Sequence, residues 1–380
     1  MRIKVYTFYW GKNFGAMLQA WALKRFLEGL GHEVSFAGRP AFPLKWRFRN
    51  WNRCPESSIL RKTKWIFSCL FTEFLAIGTE DVRYWRLRNF HRHFLGSAPT
   101  GWSVSDCNCA VFGSDQIWNP SLTEEDTMYY LGETIPAAIP KISYAASVGD
   151  CQLLPEARDR LARSCASFAA LSVRESIDGL VDRQGRMPTV VLDPTLLLSR
   201  EDYRELECPH RLQKGPYVLV YALALTSFVI KTAETLAKSV NLPIVYVTTN
   251  YYGRRYLPVR AKLAETPSSL LAYIRDADYV ISSSFHGTVF SLVYQKRFIS
   301  LVESESPIGT RAYALLESFK LSGHIITRSS CFKEIKEVFG RSPSSMVLDV
   351  MDSNSDKHRQ WLRQAVNEVK RVNTVTNIVY

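Results

Sequence analysis

The sequence predicts an α/β protein made of two Rossmann-like domains facing a cleft, with a helical insertion in the N-terminal half. Three observations carry that prediction. The chain opens as strand, glycine-containing loop, helix and strand between Ile3 and Ala37. Strands and helices alternate again, with short connections, from Tyr217 to Leu301. Between the two lies a polar stretch, Ser199 to Gly215, that holds Pro209 and Gly215 and reads as a boundary. Parallel strands need a crossover, usually a helix, and repeated strand-helix alternation supplies it. A chain of 380 residues is long enough for two such domains.

The first strand is Ile3 to Phe8, β-branched and aromatic. A loop from Gly11 to Gly15 follows, then a helix from about Ala16 to Leu30. Leu18, Trp21, Ala22, Phe26 and Leu30 fall at helical spacing there, and Gly31 ends the helix. Glu33 to Ala37 is the second strand. The segment from about Arg39 to Ala98 carries no clean strand signal and is expected to be the helical insertion (about 40–98), with one helix from Asp81 to Phe94. Strands resume at Ala110–Gly113, Lys141–Ala146, Ala169–Val173 and Val190–Leu192, where Asp193-Pro194 reads as a domain-closing turn. The second unit gives strands at Tyr217–Ala222, Ile244–Thr248, Tyr279–Ser283 and Phe298–Leu301. Its helices are expected at Phe228–Val240, Pro267–Asp276 and from Gly287 to Tyr294. A charged helix from about Ser355 to Val372 closes the chain. The expected division is therefore 1–205, 206–340, and a helical tail over 341–380.

Hydrophobic residues make up 46% and charged residues 22%, as in ordinary globular proteins. The apolar run from Trp65 to Gly78 is interrupted by Glu73 and is shorter than the roughly 20 residues a membrane span needs. The N-terminus enters a strand at once, so no secretory signal is expected. The eight cysteines are scattered, with no Cys-x-x-Cys pair and no zinc spacing. Reduced thiols in the cytoplasm and no metal are expected.

The net charge of +12 suits an anionic partner. Lys45, Arg47, Arg49, Arg53, Arg61, Lys62 and Lys64 stand against only Glu56, with Trp46, Phe48, Trp51 and Trp65 among them. Basic and aromatic residues beside an apolar stretch suit either an anionic membrane surface, contacted through about 45–78, or a solvated basic face beside core aromatics. No nucleic-acid motif accompanies the charge, so nucleic acid is not expected.

In open α/β sheets, ligands lie beyond the carboxyl ends of the strands. Four loops there carry chemistry. Ser282-Ser283-Ser284-Phe285-His286-Gly287-Thr288 opens a helix, whose free N–H groups and dipole favour anions. His286 can donate to an anion or act as acid or base. Ser284 and Thr288 offer hydroxyls, and Gly287 admits a close ligand. The second loop runs from Phe112 to Pro120. Asp115 is the carboxylate best placed to accept a hydroxyl proton there, with Ser114 and Gln116 beside it and Trp118 as a wall for a sugar ring. In the third, Arg174 directly follows a strand and can grip a carboxylate or phosphate in bidentate fashion, or pair with Glu175. The fourth, Tyr9 to Gly15, is not a Walker or Gly-x-Gly-x-x-Gly loop, so no nucleotide cofactor is indicated. Asn13, Gly15 and Gln19 are candidates to line an acceptor site. Neither Gly-x-Ser-x-Gly nor His-Glu-x-x-His occurs, which removes the serine hydrolase and zinc protease readings.

Five segments, in this order, resemble the polysaccharide pyruvyl transferase family. They are Asn13 to Ala20, Phe112 to Asn119, Ser143 to Ser147, Ser172 to Glu175, and Ala277 to Ser291. The resemblance spans about residues 1 to 330. It implies a glycosyltransferase-B-like pair of domains, the first on the acceptor side and the second on the donor side. It further implies phosphoenolpyruvate as donor substrate, no separate cofactor, and donor contacts from Arg174 and His286; Ser284, Phe285, Gly287 and Thr288, at the same helix start, are donor-binding candidates beside them. The better-described branch has an arginine where this chain has Ser284, and Arg311, after Gly309-Thr310, is the candidate to replace it. The acceptor expected is a lipid-linked or polymer-bound sugar of a surface polysaccharide, made in the cytoplasm with the protein at the inner face of the plasma membrane, and His286 and Asp115 are the candidate catalytic pair. Two other readings stay open on residues alone: a nucleotide-sugar glycosyltransferase of the same fold, and a non-catalytic carbohydrate-binding relative.

Overall fold

The structure, a computed structural model, describes residues 1–11, 13–38, 79–96, 102–123, 126–149, 151–248, 266–304, 310–343 and 345–376. Most of the expected insertion, including the whole basic-aromatic stretch, lies outside the described residues.

The first sheet has four parallel strands in the order β2-β1-β3-β4: β1 Arg2–Tyr6, β2 Glu33–Phe36, β3 Cys109–Phe112 and β4 Lys141–Ser143. Single bridges (Asp115 to Ala146, Ile142 to Ala170 and Ala146 to Val173) carry the sheet on toward the pair β5 Ser172–Val173 and β6 Thr189–Val190. The second sheet has five parallel strands in the order β11-β10-β9-β7-β8: β7 Val218–Ala222, β8 Ile244–Thr248, β9 Tyr279–Ser282, β10 Arg297–Leu301 and β11 Ile325–Ile326. In each sheet the chain starts in the interior, adds a strand on one side, then crosses to the other. The crossing points lie between β1 and β3 and between β7 and β9, where doubly wound sheets form their ligand crevices.

The first helix, α1 (Phe14–Gly29), explains how the halves meet. It is buried almost all round along its first ten residues, from Phe14 to Leu23. A helix apolar on every face needs partners on every face. Here α1 packs on β2 of its own sheet and against α5 (Pro267–Asp276) and α6 (Phe285–Val293) of the second unit. One apolar cluster accordingly runs from Ile3 and Leu18 through Tyr203 to Phe290 and Leu362. Burying each large apolar side chain of this kind contributes about 1.5–3 kcal/mol. The Phe14 ring lies parallel to that of Tyr221, centroids 6.4 Å apart, across the same seam.

Most expected elements are present, with adjusted ends. The expected helix at Gly287 starts two residues earlier, at Phe285, which puts Phe285 and His286 in its first turn. The helix expected over Asp81–Phe94 is α2 (Thr79–Phe90), continued by a π-helical turn at His91–Leu95. Besides two single-turn helices at Pro120–Thr123 and Thr127–Tyr130, the remaining described α-helices are α3 (Pro155–Cys165), α4 (Ser227–Val240), α7 (Arg311–Ser318), α8 (Phe332–Phe339) and the closing α9 (Ser345–Thr376). The last begins ten residues before the sequence suggested. Helices α3, α7 and α8 and strand β11 were not expected. Among the described residues, no helix is long and apolar enough to cross a membrane.

Candidate active site

The segments after β1, β3, β5, β6, β9 and β10 converge on one charged cluster. Its centre is Arg174, whose side chain is only 5% exposed. Arg174 Nη2 lies 2.6 Å from Asp193 Oδ2 and donates to Ser114 Oγ, and Nη1 stands 4.0 Å from Asp115 Oδ1. The alternative pairing with Glu175 does not occur. Glu175 turns away and accepts from Ser147 Oγ and the backbone N–H groups of Val148 and Gly149. The Arg174 guanidinium also lies over the Phe285 ring, 5.2 Å from its centroid.

His286 enters from the first turn of α6. Its Nε2 is 3.6 Å from Asp193 Oδ2, an ion-pair distance longer than a hydrogen bond. Its ring rests on the α1 backbone at Gly15. A Cβ on Gly15 would lie 2.0 Å from His286 Nδ1, so only glycine fits there. Gly15 therefore shapes the site by seating the histidine from the opposite half of the molecule.

Arg311 joins from the start of α7, which Thr310 caps by accepting from the Tyr313 N–H. The Arg311 guanidinium lies 5.4 Å from the Phe285 centroid, on the ring that Arg174 also covers, and 3.9 Å from Asp115 Oδ1. With its carboxamide oxygen turned toward this guanidinium, Gln116 accepts from Arg311 at 2.8 and 3.2 Å. Arg311 is 22% exposed where Arg174 and His286 are 5%, so it is the solvent-side member of the cluster. The cation expected to replace the family arginine at Ser284 thus stands beside Phe285.

Asp115 sits in the left-handed region, at φ 73°, as does Ala145 at φ 50°, next to the Ala146 that bridges to Asp115. Residues held there store strain of order 1–3 kcal/mol each and cluster at functional sites. The Asp115 carboxylate accepts from the Gln116 N–H at 2.9 Å and faces both arginines.

Asp193 is the member of the cluster that the sequence reading passed over: Asp193-Pro194-Thr195 stands at a strand end but read as a domain-closing turn. It does cap a turn, accepting from the Thr195 N–H at 3.0 Å and hydroxyl at 2.6 Å through Oδ1. Its other oxygen faces Arg174 and His286. Burial alone would raise the Asp193 carboxyl, but the Arg174 charge and the His286 imidazole outweigh burial and hold it well below the usual carboxylate range.

Two expected acceptor contacts, at Trp118 and Gln19, are corrected. Trp118 is no sugar wall: its ring is buried against Phe168 and its indole N–H donates to the Tyr130 carbonyl at 3.2 Å. Gln19 is fully buried, with Nε2 2.9 Å from Thr7 Oγ1 and from the Phe8 and Ala16 carbonyls, so it ties α1 to the end of β1 and lines no acceptor site. Gly287 is needed for helix-on-strand packing, since a Cβ there would come within 2.1 Å of Ser282 Oγ and 2.6 Å of Tyr221. Thr288 is buried, and its hydroxyl serves Ser300 Oγ at 2.9 Å and the Ser284 carbonyl at 3.3 Å. Ser284 is the N-cap of α6 without a side-chain cap bond. Asn13 caps α1 through the N–H groups of Gly15 and Ala16. Ser114 Oγ lies between Arg174 and Asp193 Oδ2, 3.3 Å from the latter, and orients the guanidinium.

Residues 13–305 match the family model for polysaccharide pyruvyl transferase. The chain belongs to that family. Membership makes it a transferase that modifies polysaccharides, and the match contains every site residue above except Arg311. No curated protein matches the chain. Solved structures that resemble it include the Methanocaldococcus jannaschii UDP-GlcNAc 2-epimerase with UDP-GlcNAc and UDP, at 10% identity, 97% of this chain and 100% of that one, TM-score 0.48. Another is the S. aureus MnaA–UDP structure, at 11% identity, 88% and 86% coverage, TM-score 0.46. A third is the spinosyn rhamnosyltransferase SpnG with thymidine diphosphate, at 12% identity, 96% and 99% coverage, TM-score 0.42.

Proposed function

We propose that this pyruvyl transferase takes phosphoenolpyruvate as donor and forms a cyclic ketal on two hydroxyls of one sugar of a surface polysaccharide. One observation carries the donor class. Arg174 Nε, Arg174 Nη1 and His286 Nε2 are buried in the site without a hydrogen-bond partner. Each unmet buried donor costs about 1–3 kcal/mol, more when charged. Such donors converging beside a second arginine suit a small ligand with two anionic groups, and phosphoenolpyruvate carries a phosphate and a carboxylate.

In this reading Arg174 and Arg311 hold the two anionic groups and need no further cofactor to do so. His286 delivers a proton to the methylene carbon, which leaves an oxocarbenium-like centre at the adjacent carbon. Asp115 accepts the proton of the attacking sugar hydroxyl, the C–O bond to phosphate breaks, and a second hydroxyl closes the ketal. The protons balance: the two hydroxyls release two, one ends on the new methyl group and one leaves with phosphate. Arg311 and Arg174 also neutralise Asp115, so an anion that draws the arginines toward itself frees the carboxylate to act as base. The acceptor is proposed to be lipid-linked, and the basic-aromatic stretch around Lys45–Trp65 to hold the protein at an anionic membrane.

Titration calorimetry with phosphoenolpyruvate, and in parallel with nucleoside diphosphates, tests the donor. Binding of phosphoenolpyruvate that Arg174→Ala abolishes is expected. Binding of a nucleoside diphosphate instead would transfer the chain to the glycosyltransferase reading.

A further inference from the structure

The expected site residues leave one charged side chain of the cluster without a role, and the family match leaves the last helix outside it. The two are connected. Asp193 is fully buried, and protein groups face both of its carboxylate oxygens. Its Oδ2 reaches Arg174 at 2.6 Å and His286 at 3.6 Å, and its Oδ1 takes both Thr195 donors. Its segment is held from the far side by α9. The Leu192 N–H donates to His358 Nδ1 at 3.2 Å, and Arg359 Nε donates to the Leu197 carbonyl at 2.7 Å. Tyr144 O–H donates to the Leu192 carbonyl at 3.2 Å, and its ring lies 6.1 Å from that of Trp361 on α9. Residues 192 to 197 are thus pinned on both sides of Asp193, and α9 (Ser345–Thr376) lies beyond the family match, which ends at residue 305.

We propose that Asp193 is the positioning residue of this site, fixing the Arg174 guanidinium and the His286 imidazole in one geometry, and that α9 holds Asp193 in place. The catalytic geometry of this chain then depends on a helix outside the family's matched region. A preorganised cluster needs such support, because a displacement of about 1 Å in the groups that meet the reacting atoms costs on the order of 10²-fold in rate.

The test uses the full-length protein in two arms. The first needs no donor: side-chain nitrogen resonances of ¹⁵N-histidine-labelled protein, with the His286 signal assigned by its loss in His286→Gln. Asp193→Asn and Arg359→Ala are both expected to shift or broaden that signal, Arg359→Ala the less, and Arg359→Lys to restore it. An unchanged His286 signal in a folded Asp193→Asn protein overturns the proposal, and an unchanged signal in Arg359→Ala overturns the part played by α9. Where Asp193→Asn does not fold, Asp193→Glu, which keeps the charge on a longer arm, takes its place, and an unchanged His286 signal there overturns the proposal. The second arm rests on the pyruvyl-transfer reading. Asp193→Asn should lower kcat about 10²-fold with the KM for phosphoenolpyruvate within about threefold of wild type, as for a residue that aligns others and does not bind the donor. A raised KM with kcat unchanged would contradict it. If wild type itself releases no phosphate, that reading fails, while the resonance arm still decides whether Asp193 positions His286.

Discussion

At Gly15 a single hydrogen in place of a methyl group decides where His286 sits. Gly15→Ala puts a carbon into the imidazole, so the ring must move. The expected result is a fall in kcat of order 10²-fold with a cooperative melt retained, measured by steady-state turnover and calorimetry. Arg311 lies on the solvent side of the site and bears on donor affinity: Arg311→Ala should raise the donor KM about 10- to 100-fold, the range set by one or two charge-assisted hydrogen bonds. Asp193 gives a stability prediction. Its carboxyl is depressed in the folded protein, so its contribution is present above the unfolded value of about 3.9 and is lost as pH falls below it. The melting-temperature difference between wild type and Asp193→Asn should therefore be constant near neutrality and shrink as the pH drops below about 4. His286, Arg174 and Asp115 were legible because each sits in a polar loop at a strand end. Asp193 was not, because an Asp-Pro pair is also an ordinary turn. Trp118 and Gln19 were misread because a polar or aromatic side chain next to a functional loop can point into the core, and one-dimensional spacing gives no direction.

The helix termini show how elements aim these residues. Asn13 caps α1 and so fixes the turn that carries Gly15, and Asn13→Ala should cost about 1 kcal/mol in denaturant unfolding. Ser282 accepts from the Ser284 N–H at 3.0 Å, starting α6 early enough to put His286 in its first turn. The sequence placed that start at Gly287, since glycine often marks an irregular boundary, yet this glycine is needed for contact with β7. The π-helical turn after α2 buries His91 against Tyr9, with ring centroids 5.2 Å apart. Burial pushes the His91 imidazole down to about 4. The unfolded chain then binds a proton between its ordinary value of about 6.5 and that lower one, and stability should fall across this window by up to about 1.4 kcal/mol per pH unit. A urea titration of wild type against His91→Phe over this range tests it; equal slopes would remove His91 as the cause.

Across the whole molecule, the alternation of strands and helices predicted the two parallel sheets, because each parallel connection needs a covering helix and few topologies satisfy that. What the alternation could not reveal is that the two halves share one apolar cluster through α1, since long-range packing leaves no local period. Nor did it show that α9 reaches back to the Asp193 segment. The basic-aromatic stretch from Lys45 to Trp65 lies outside the described residues. Neutralising its lysines and arginines should lower binding to anionic vesicles while leaving turnover on a free acceptor unchanged, which a vesicle sedimentation assay reads directly. The central claim is pyruvyl transfer at the cluster of Arg174, His286, Arg311 and Asp115. Its most direct measurement is phosphate release from phosphoenolpyruvate by wild type and His286→Ala, against free and lipid-linked galactose, glucose and N-acetylmannosamine acceptors. Acceptor-dependent release by wild type that His286→Ala reduces at least 10²-fold is the predicted result. Release that His286→Ala leaves untouched would contradict the account, as would the absence of both release and phosphoenolpyruvate binding in wild type.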